Sequence, residues 1–309
     1  MKRNFRELSV AIALAVLLLA LAIFAPAFFQ PQPLLSWLTR EAPILVVACG
    51  MALVIISRQI DISVGSQFAI CSVGAGLLAA AKWPLALVLA ASIGLGAVMG
   101  ALNGLLVAGL RLPSIVVTLA TMVTLRKGLD WFRQGEFVNL PDGAQWFGLS
   151  QVAGQWTLIG VALILLVTLA TAMKHLAAGR FVYAVGTDAE AARLAGIRPQ
   201  VTTFWVFVFI GALTGLAAMM NVVQSPQVDP KSGTGLELKT IAAVVVGGVA
   251  ISGGRGKLWG VFAGLLLLAC VSPALTHLHV QAYWEKAIQG AIILLAVVAD
   301  GLRTRKGKN

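Results

Sequence analysis

"FVYAVGTDAEAARLAGIRPQ" (residues 181–200) stands between two long apolar runs. It concentrates Asp188, Glu190, Arg193 and Arg198 in a chain of which only 11% of residues are charged. A soluble domain carries about 25% charged residues. With 59% hydrophobic residues, this chain lacks the polar side chains to cover a surface facing water. Its mean hydropathy of +0.91 agrees. The sequence therefore reads as an all-α integral membrane protein, and residues 181–200 as an island outside the lipid. The 32 glycines suit helices that pack backbone to backbone in a bilayer.

Working outward from the island, a membrane helix needs about 20 apolar residues. Ten candidate spans follow at about 8–29, 42–57, 62–81, 84–110, 113–130, 157–173, 201–223, 238–253, 257–275 and 284–301. Pro26, Pro43, Pro84, Pro113, Pro199 and Pro273 mark starts or ends. With the N-terminus inside, 1–7, 58–61, 109–112, 174–200, 254–257 and 302–309 are cytoplasmic. These pieces hold 15 of the 23 lysines and arginines, which satisfies the positive-inside rule with both termini cytoplasmic. The first apolar run exceeds that of a secretion signal and has Pro26 at the centre of any cleavage site, so it reads as a retained span. The whole of 1–309 is then one polytopic domain.

The net charge of +11 does not indicate nucleic acid, because the basic residues are spread among connections rather than gathered on one face. Cys49, Cys71 and Cys270 lie inside apolar runs and read as packing residues, not as a disulfide framework.

Within the island, "TDAE" has the spacing of a capping box, with Thr187 capping a short helix and Glu190 reaching back. Alanines and Leu194 continue the helix, Gly196 stops it, and Pro199 opens the next span. Such a short helix needs something to hold it, either its own bundle or a soluble partner.

The segment "GRFVYAVGTDAEAARLAGI" (179–197) resembles the cytoplasmic coupling loop of permease subunits in the monosaccharide branch of ABC importers, which serves ribose, xylose, arabinose, rhamnose and autoinducer-2. "CGMALVIISRQIDISVGS" (49–66), "NGLLVAGLRLPSIVVTLATMVTLRKGL" (103–129), "GTGLELKTIAAVVVGGVAISGGRGKLWG" (233–260) and the C-terminal "IQGAIILLAVVADG" resemble other blocks of the same family, in order along the chain. The resemblance implies a multi-pass protein of the bacterial inner membrane that pairs with a second permease copy or a homologous one. It implies two cytoplasmic ATPases, which hold the ATP and Mg, and a periplasmic binding protein that delivers the sugar. The permease itself would bind no cofactor and catalyse nothing. Carried over residue by residue, the ATPase contact falls on Gly186, Thr187, Asp188, Glu190, Ala192, Arg193 and Gly196. Substrate identity does not follow; "GTGLELKTIAA" leans towards autoinducer-2.

"AISGGRGKLWG" (250–260) is not a phosphate loop, since Ile251 stands where the first Gly belongs and Leu258 where a hydroxyl is needed. Polar residues at membrane depth normally face a bundle interior or a cavity. Asp61, Ser63, Ser66, Gln67, Asn103, Thr118 and Thr121 are the candidates for a translocation path or gate. Asp61 alternatively caps the third span, and the Thr118, Thr121, Thr124 stripe alternatively bonds within the bundle. On the outer face, 132–156 and 224–239 are the long polar connections, with Trp131, Trp146 and Trp156 as an interfacial belt. Glu136, Asp142, Asp229, Lys231 and Glu237 are available there to a binding protein. His277-x-His279 near Glu285 supplies too few ligands for a metal site.

The nearest rival is a branched-chain amino acid permease, against which Ile60-Asp61-Ile62-Ser63 favours the sugar branch. An ion-coupled secondary transporter would need carboxylates or broken helices at mid-membrane, whereas Asp61, Glu237 and Asp300 read as lying at span ends. No Ser/His/Asp, H-E-x-x-H or paired-carboxylate motif suggests an enzyme.

Overall fold

The computed structural model describes residues 5–277 and isolated positions between 284 and 294. The expected span at 284–301, the C-terminal block and its orientation, and the His279 and Glu285 region lie outside the described residues. In chain order the helices are α1 (Phe5–Phe24), α2 (Pro31–Ile56), α3 (Val64–Ala80), α4 (Leu85–Gly104), α5 (Ser114–Arg133), α6 (Gln151–His175), α7 (Ala177–Thr187), α8 (Ala189–Leu194), α9 (Pro199–Val222), α10 (Leu236–Val246), α11 (Leu258–Ala269) and α12 (Val271–His277). A π turn, Leu105–Gly109, prolongs α4. The protein is an all-α membrane protein. Among the described residues five stretches are long and apolar enough to cross a bilayer alone: Pro31–Ile56, Leu85–Gly109, Gln151–His175, Pro199–Val222 and Leu258–Thr276.

Several boundaries differ from the sequence expectation. Pro43 does not start a helix but sits inside α2, which begins at Pro31. The ring removes one backbone donor, a loss that packing on every side of α2 absorbs; Val46, Val47 and Ala48 are fully buried. The two outer connections, expected as free loops, pair in a two-residue antiparallel ladder, with Val138 opposite Val228 and Asn139 opposite Gln227. Trp131 and Trp156 stay exposed as a belt requires, but Trp146 turns inward against Gly154 and the core.

The bundle is centred on α9, which packs against α2, α3 and α4. Lipid tails are as apolar as leucine, so helices associate in a bilayer by close packing and interhelical hydrogen bonds. The α4–α9 crossing shows this. A Cβ at Gly96 would strike the Gly211 carbonyl and one at Gly211 would strike the Gly96 carbonyl. Gly100 meets Phe207 and Gly215 meets Ser92 in the same way. Ser92 Oγ then donates to the Gly215 carbonyl at 2.8 Å. Four-residue glycine spacing on both helices therefore makes a backbone-to-backbone seam.

Two spans are shorter than expected: that of 62–81 begins only at Val64 and that of 238–253 ends at Val246. Residues 58–63 do not fold into a helix but climb beside α5 before α3 begins at Val64. The Ile60 amide donates to Ser114 Oγ at 3.2 Å and the Ile62 amide to Thr118 Oγ1 at 3.1 Å. Four residues of α5 rise about 6 Å, so two residues covering that distance are extended. Further up, Ser66 Oγ donates to the Met122 carbonyl and Arg126 Nη2 to the Gly65 carbonyl. From Ser114 to Arg126 is about 18 Å along the helix, against a hydrocarbon core of about 30 Å. α3 thus starts deep within the bundle.

The mirror situation holds at α10. Arg126 Nη1 reaches the carbonyls of Pro230 and Ser232 at 3.4 and 3.3 Å. Gly65 and Gly233 meet backbone to backbone: a Cβ at Gly233 would lie 2.6 Å from the Gly65 carbonyl oxygen, and one at Gly65 2.5 Å from that of Gly233. α10 begins beside this contact and has 11 residues, or about 16 Å. It ends at Val246, short of the expected 253. Irregular backbone at such depth survives only when protein groups satisfy it, which Ser114, Thr118 and Arg126 do. Asp61 and Glu237 accordingly lie where two interrupted helices begin, not at the ends of full spans.

Candidate functional site

The charged island is built from two helices, not one. α6 ends at His175 and the extended residue Leu176 turns the chain into α7, whose buried face carries Val182, Val185 and Gly186. Thr187 closes α7, its hydroxyl donating to the Tyr183 carbonyl at 2.8 Å. The expected capping box does not form. Asp188, extended at φ −160°, is the cap, and its Oδ1 accepts the amides of Glu190 and Ala191 at 2.9 and 3.0 Å. A carboxylate beside the positive end of a helix is favoured by both the hydrogen bonds and the dipole. Threonine one residue earlier is spent on finishing the preceding helix.

Glu190, released from capping, pairs instead with Arg193 through Oε2 to Nε at 3.0 Å and Oε1 to Nη2 at 2.5 Å. The guanidinium holds the Glu190 carboxyl below its usual range, mainly through that hydrogen bond. Ala192 is the buried residue of α8, facing the bundle. Gly196 adopts φ +84°, and its amide and that of Ile197 return to the carbonyls of Arg193 and Ala192. This is the glycine-dependent helix stop expected from the sequence. Leu194, which sequence reasoning passed over as a helix former, is 78% exposed at the tip of α8.

The end of α7 is locked to two other elements. A Cβ at Gly186 would fall on the Ile56 carbonyl oxygen at the end of α2, and would lie 2.8 Å from the Gly254 amide nitrogen. That amide donates to the same Ile56 carbonyl at 2.8 Å. A Cβ at Gly253 would lie 2.6 Å from the Gly186 carbonyl oxygen. Tyr183 completes the node, donating its hydroxyl to the Gly256 carbonyl at 2.8 Å. The α7–α8 unit, the end of α2 and the 250–256 turn therefore meet at glycines with no side chain between them.

From this node the chain runs directly into the interrupted segment. Asp61 Oδ1 accepts the Ser63 amide at 2.9 Å and the Ser63 hydroxyl at 2.6 Å. The Ser63 oxygen in turn accepts Gln67 Nε2 at 2.7 Å and Asn103 Nδ2 at 2.8 Å. Gln67 Nε2 also lies 3.5 Å from Asp61 Oδ2. Asp61, Ser63, Gln67 and Asn103 thus form one network across α3, α4 and the 58–63 segment, each at most 1% exposed. Gln67 Oε1 and Asn103 Oδ1 are buried there without hydrogen-bond partners. Asp61 caps the residue before α3 and not the helix itself.

The other candidates are used differently. Thr118 holds the 58–63 backbone and also donates to the Ser114 carbonyl at 2.8 Å. Thr121 donates to the Val117 carbonyl of its own helix at 2.7 Å. Ser66 bonds α5 at Met122. In this conformation the network is sealed from solvent, and what it does is hold an extended strand in register. Arg126 and Tyr183 also escaped sequence reasoning, since both sit in otherwise ordinary helical stretches. Of the proposed outer-loop contacts, Glu237 turns inward against Gly65.

Residues 34–297 match the family model described as the permease component of the branched-chain amino acid transport system. The chain is 33% identical over 294 residues to the ribose import permease protein RbsC of Escherichia coli K12, covering 94% of this chain and 92% of the relative. It is 34% identical over 299 residues to the autoinducer 2 import system permease protein LsrC of Enterobacter sp. strain 638, covering 96% and 87%. LsrC of Klebsiella pneumoniae is likewise 34% identical over 297 residues, covering 96% of this chain and 86% of the relative. No solved structure matches. The chain therefore belongs to this family of ABC importer permeases, in the sugar branch that holds the ribose and autoinducer-2 permeases.

Proposed function

We propose that this chain is the membrane-spanning subunit of an ATP-driven importer that passes a pentose, a deoxyhexose or an autoinducer-2-type molecule across the bacterial inner membrane. A periplasmic binding protein delivers the molecule to the Trp146 end. Two cytoplasmic ATPases, carrying ATP and Mg, seat on α8, and a second permease, identical or homologous, completes the pathway. The chain contributes no catalytic group and binds no cofactor. The observation that carries this reading is the glycine node: α8 presents Leu194 outward, and its carrier α7 is fixed to α2 and to the 250–256 turn. Displacing α8 moves the Ile56 end of α2 and with it the strand leading to Asp61. Gly186, Thr187, Asp188, Ala192 and Gly196 build the docking unit, while Glu190 and Arg193 supply its exposed charges.

In the same reading, rearrangement of the Asp61, Ser63, Gln67 and Asn103 network opens and closes the path, since two interrupted helices start beside it. The test is reconstitution of the chain with its ATPase and binding protein in liposomes. Uptake of one of these sugars that needs ATP and the binding protein supports the reading. A second reading draws on the same buried Asp61: interrupted helices beside a carboxylate are how ion-coupled carriers build their sites. Uptake driven by an ion gradient, without ATP, would select it.

A further inference from the structure

Beside α8 lies a groove of about 360 Å³ that the docking helix does not itself fill. Its walls come from the end of α2, the α4–α5 connection, α7–α8 and the start of α9, and include Ser57, Arg58, Arg111, Ser114, Val185 and Ala189. Arg58 and Arg111 are its charged lining residues, and no carboxylate lines it. Two of its hydroxyls are already committed: Ser57 donates to the Val54 carbonyl at 2.8 Å, and Ser114 accepts the Ile60 amide. Neither guanidinium has a hydrogen-bond or ion-pair partner among the described residues. On α8, by contrast, Arg193 is neutralised by Glu190. The free positive charge next to the docking helix is therefore on its neighbours.

Both arginines occupy left-handed backbone, Arg58 at φ +64° and Arg111 at φ +56°. Arg58 follows α2 in the position where a helix stop normally has glycine, with the Arg58 and Gln59 amides returning to the carbonyls of Ile55 and Val54. A side chain there costs about 1–2 kcal/mol. Two long cations held at such positions, on two separate connections, point into one groove.

We infer that this groove receives an acidic side chain of the cytoplasmic ATPase seated on α8, making Arg58 and Arg111 a charge-reading contact beside the docking helix. The inference rests on the ATPase-driven reading above. A protein segment is favoured over a lipid headgroup because Val185 and Ala189 of α7–α8 form one wall, so whatever covers α8 covers the groove. Arginine suits the task, since its planar fork pairs a carboxylate in two places. Arg58 also stands three residues before Asp61. A partner gripping it pulls on the extended strand directly, in parallel with the route through Gly186.

The experiment uses the full complex in nanodiscs, one set of zwitterionic lipid alone and one with anionic lipid added. Arg58→Glu with Arg111→Glu is expected to weaken ATPase binding at least about tenfold, with the permease still inserted and monodisperse. Arg58→Lys with Arg111→Lys keeps the charge and supplies amines. A water-soluble carbodiimide then joins an amine to a touching carboxylate as an amide, the reagent taking up the released water. Mass spectrometry is expected to find an Asp or Glu peptide of the ATPase linked at position 58 or 111. Undiminished binding by the glutamate variant, or an intact complex with no such link, overturns the inference. A defect seen only when anionic lipid is present also overturns it, in favour of a headgroup. If the unaltered chain binds no ATPase at all, the underlying reading fails rather than the arginine contact alone.

Discussion

The Ile56 carbonyl accepts the Gly254 amide at 2.8 Å on the spot where any side chain at Gly186 would have to sit. Three segments distant in sequence converge on one oxygen, and only glycine at 186 permits the approach. Gly186→Ala must push α7 away from α2. We expect a complex that still assembles and hydrolyses ATP but loses most of its uptake, at least about tenfold, with the ratio of sugar moved to ATP consumed as the readout. Tyr183→Phe removes the hydrogen bond to Gly256 and should give a milder fall in the same ratio. Unchanged coupling in both variants would remove the node from the mechanism.

The α4–α9 seam makes a contrasting prediction about folding. Gly100→Leu or Gly211→Leu places a side chain into the facing backbone, where overpacking costs typically 1–3 kcal/mol and more when backbone is struck. Gly94 and Gly160 have nothing within 4 Å of an added Cβ, so leucine there should be tolerated. Size-exclusion profiles of the four variants in mild detergent should separate the pairs: aggregated for 100 and 211, monodisperse for 94 and 160.

Lys239 Nζ lies 3.0 Å from both carboxylate oxygens of Glu41, joining α10 to α2 in the interior. Removing one partner of a buried pair strands the other, at about 3–5 kcal/mol. Glu41→Leu and Lys239→Met should each lower the thermal midpoint in detergent strongly. The double variant, with neither charge left, should recover much of the loss. A double variant as unstable as the sum of the two would show that Glu41 and Lys239 contribute independently and not through their pairing.

Asp61→Asn keeps an oxygen for the Ser63 amide and hydroxyl, whereas Asp61→Ala leaves both without an acceptor. If the residue chiefly fixes the strand before α3, the alanine variant should lose protein yield and the asparagine variant keep both yield and uptake. Normal yield with lost uptake in the asparagine variant would assign the carboxylate itself to gating.

What the sequence showed depended on whether a signal was repeated or singular. The seam of α4 and α9 was legible as a class, because apolar runs rich in glycine have few other uses in lipid. The polar α7–α8 island was legible in outline, since its charges stand out against the flanking spans. Its cap was not. Thr187 and Asp188 are both good caps, and the choice fell to Asp188 because α7, unforeseen as a helix, extended to Thr187. The breaks at 58–63 and after Val246 were hidden for a different reason. The extended backbone of 58–63 is held by Ser114 and Thr118 on distant α5, and the turn after Val246 by the amides of Gly247, Gly248 and Val249 returning to α10, contacts that no local pattern announces. Pro43 misled in the opposite sense, since burial on all sides lets α2 carry a proline. Arg58 and Arg111 read as ordinary positive-inside charges; their left-handed backbone and shared groove exist only in the folded chain.

The most direct test of the account is to isolate this chain from native membranes under gentle solubilisation and identify its companions by mass spectrometry. The account predicts a P-loop ATPase in stoichiometric amount and a second permease copy or homologue. It also predicts that Leu194→Asp releases the ATPase while leaving the permease pair together. If the chain comes away alone under conditions that keep another ABC complex intact, α7–α8 is only a connector and the coupling role assigned to it is wrong.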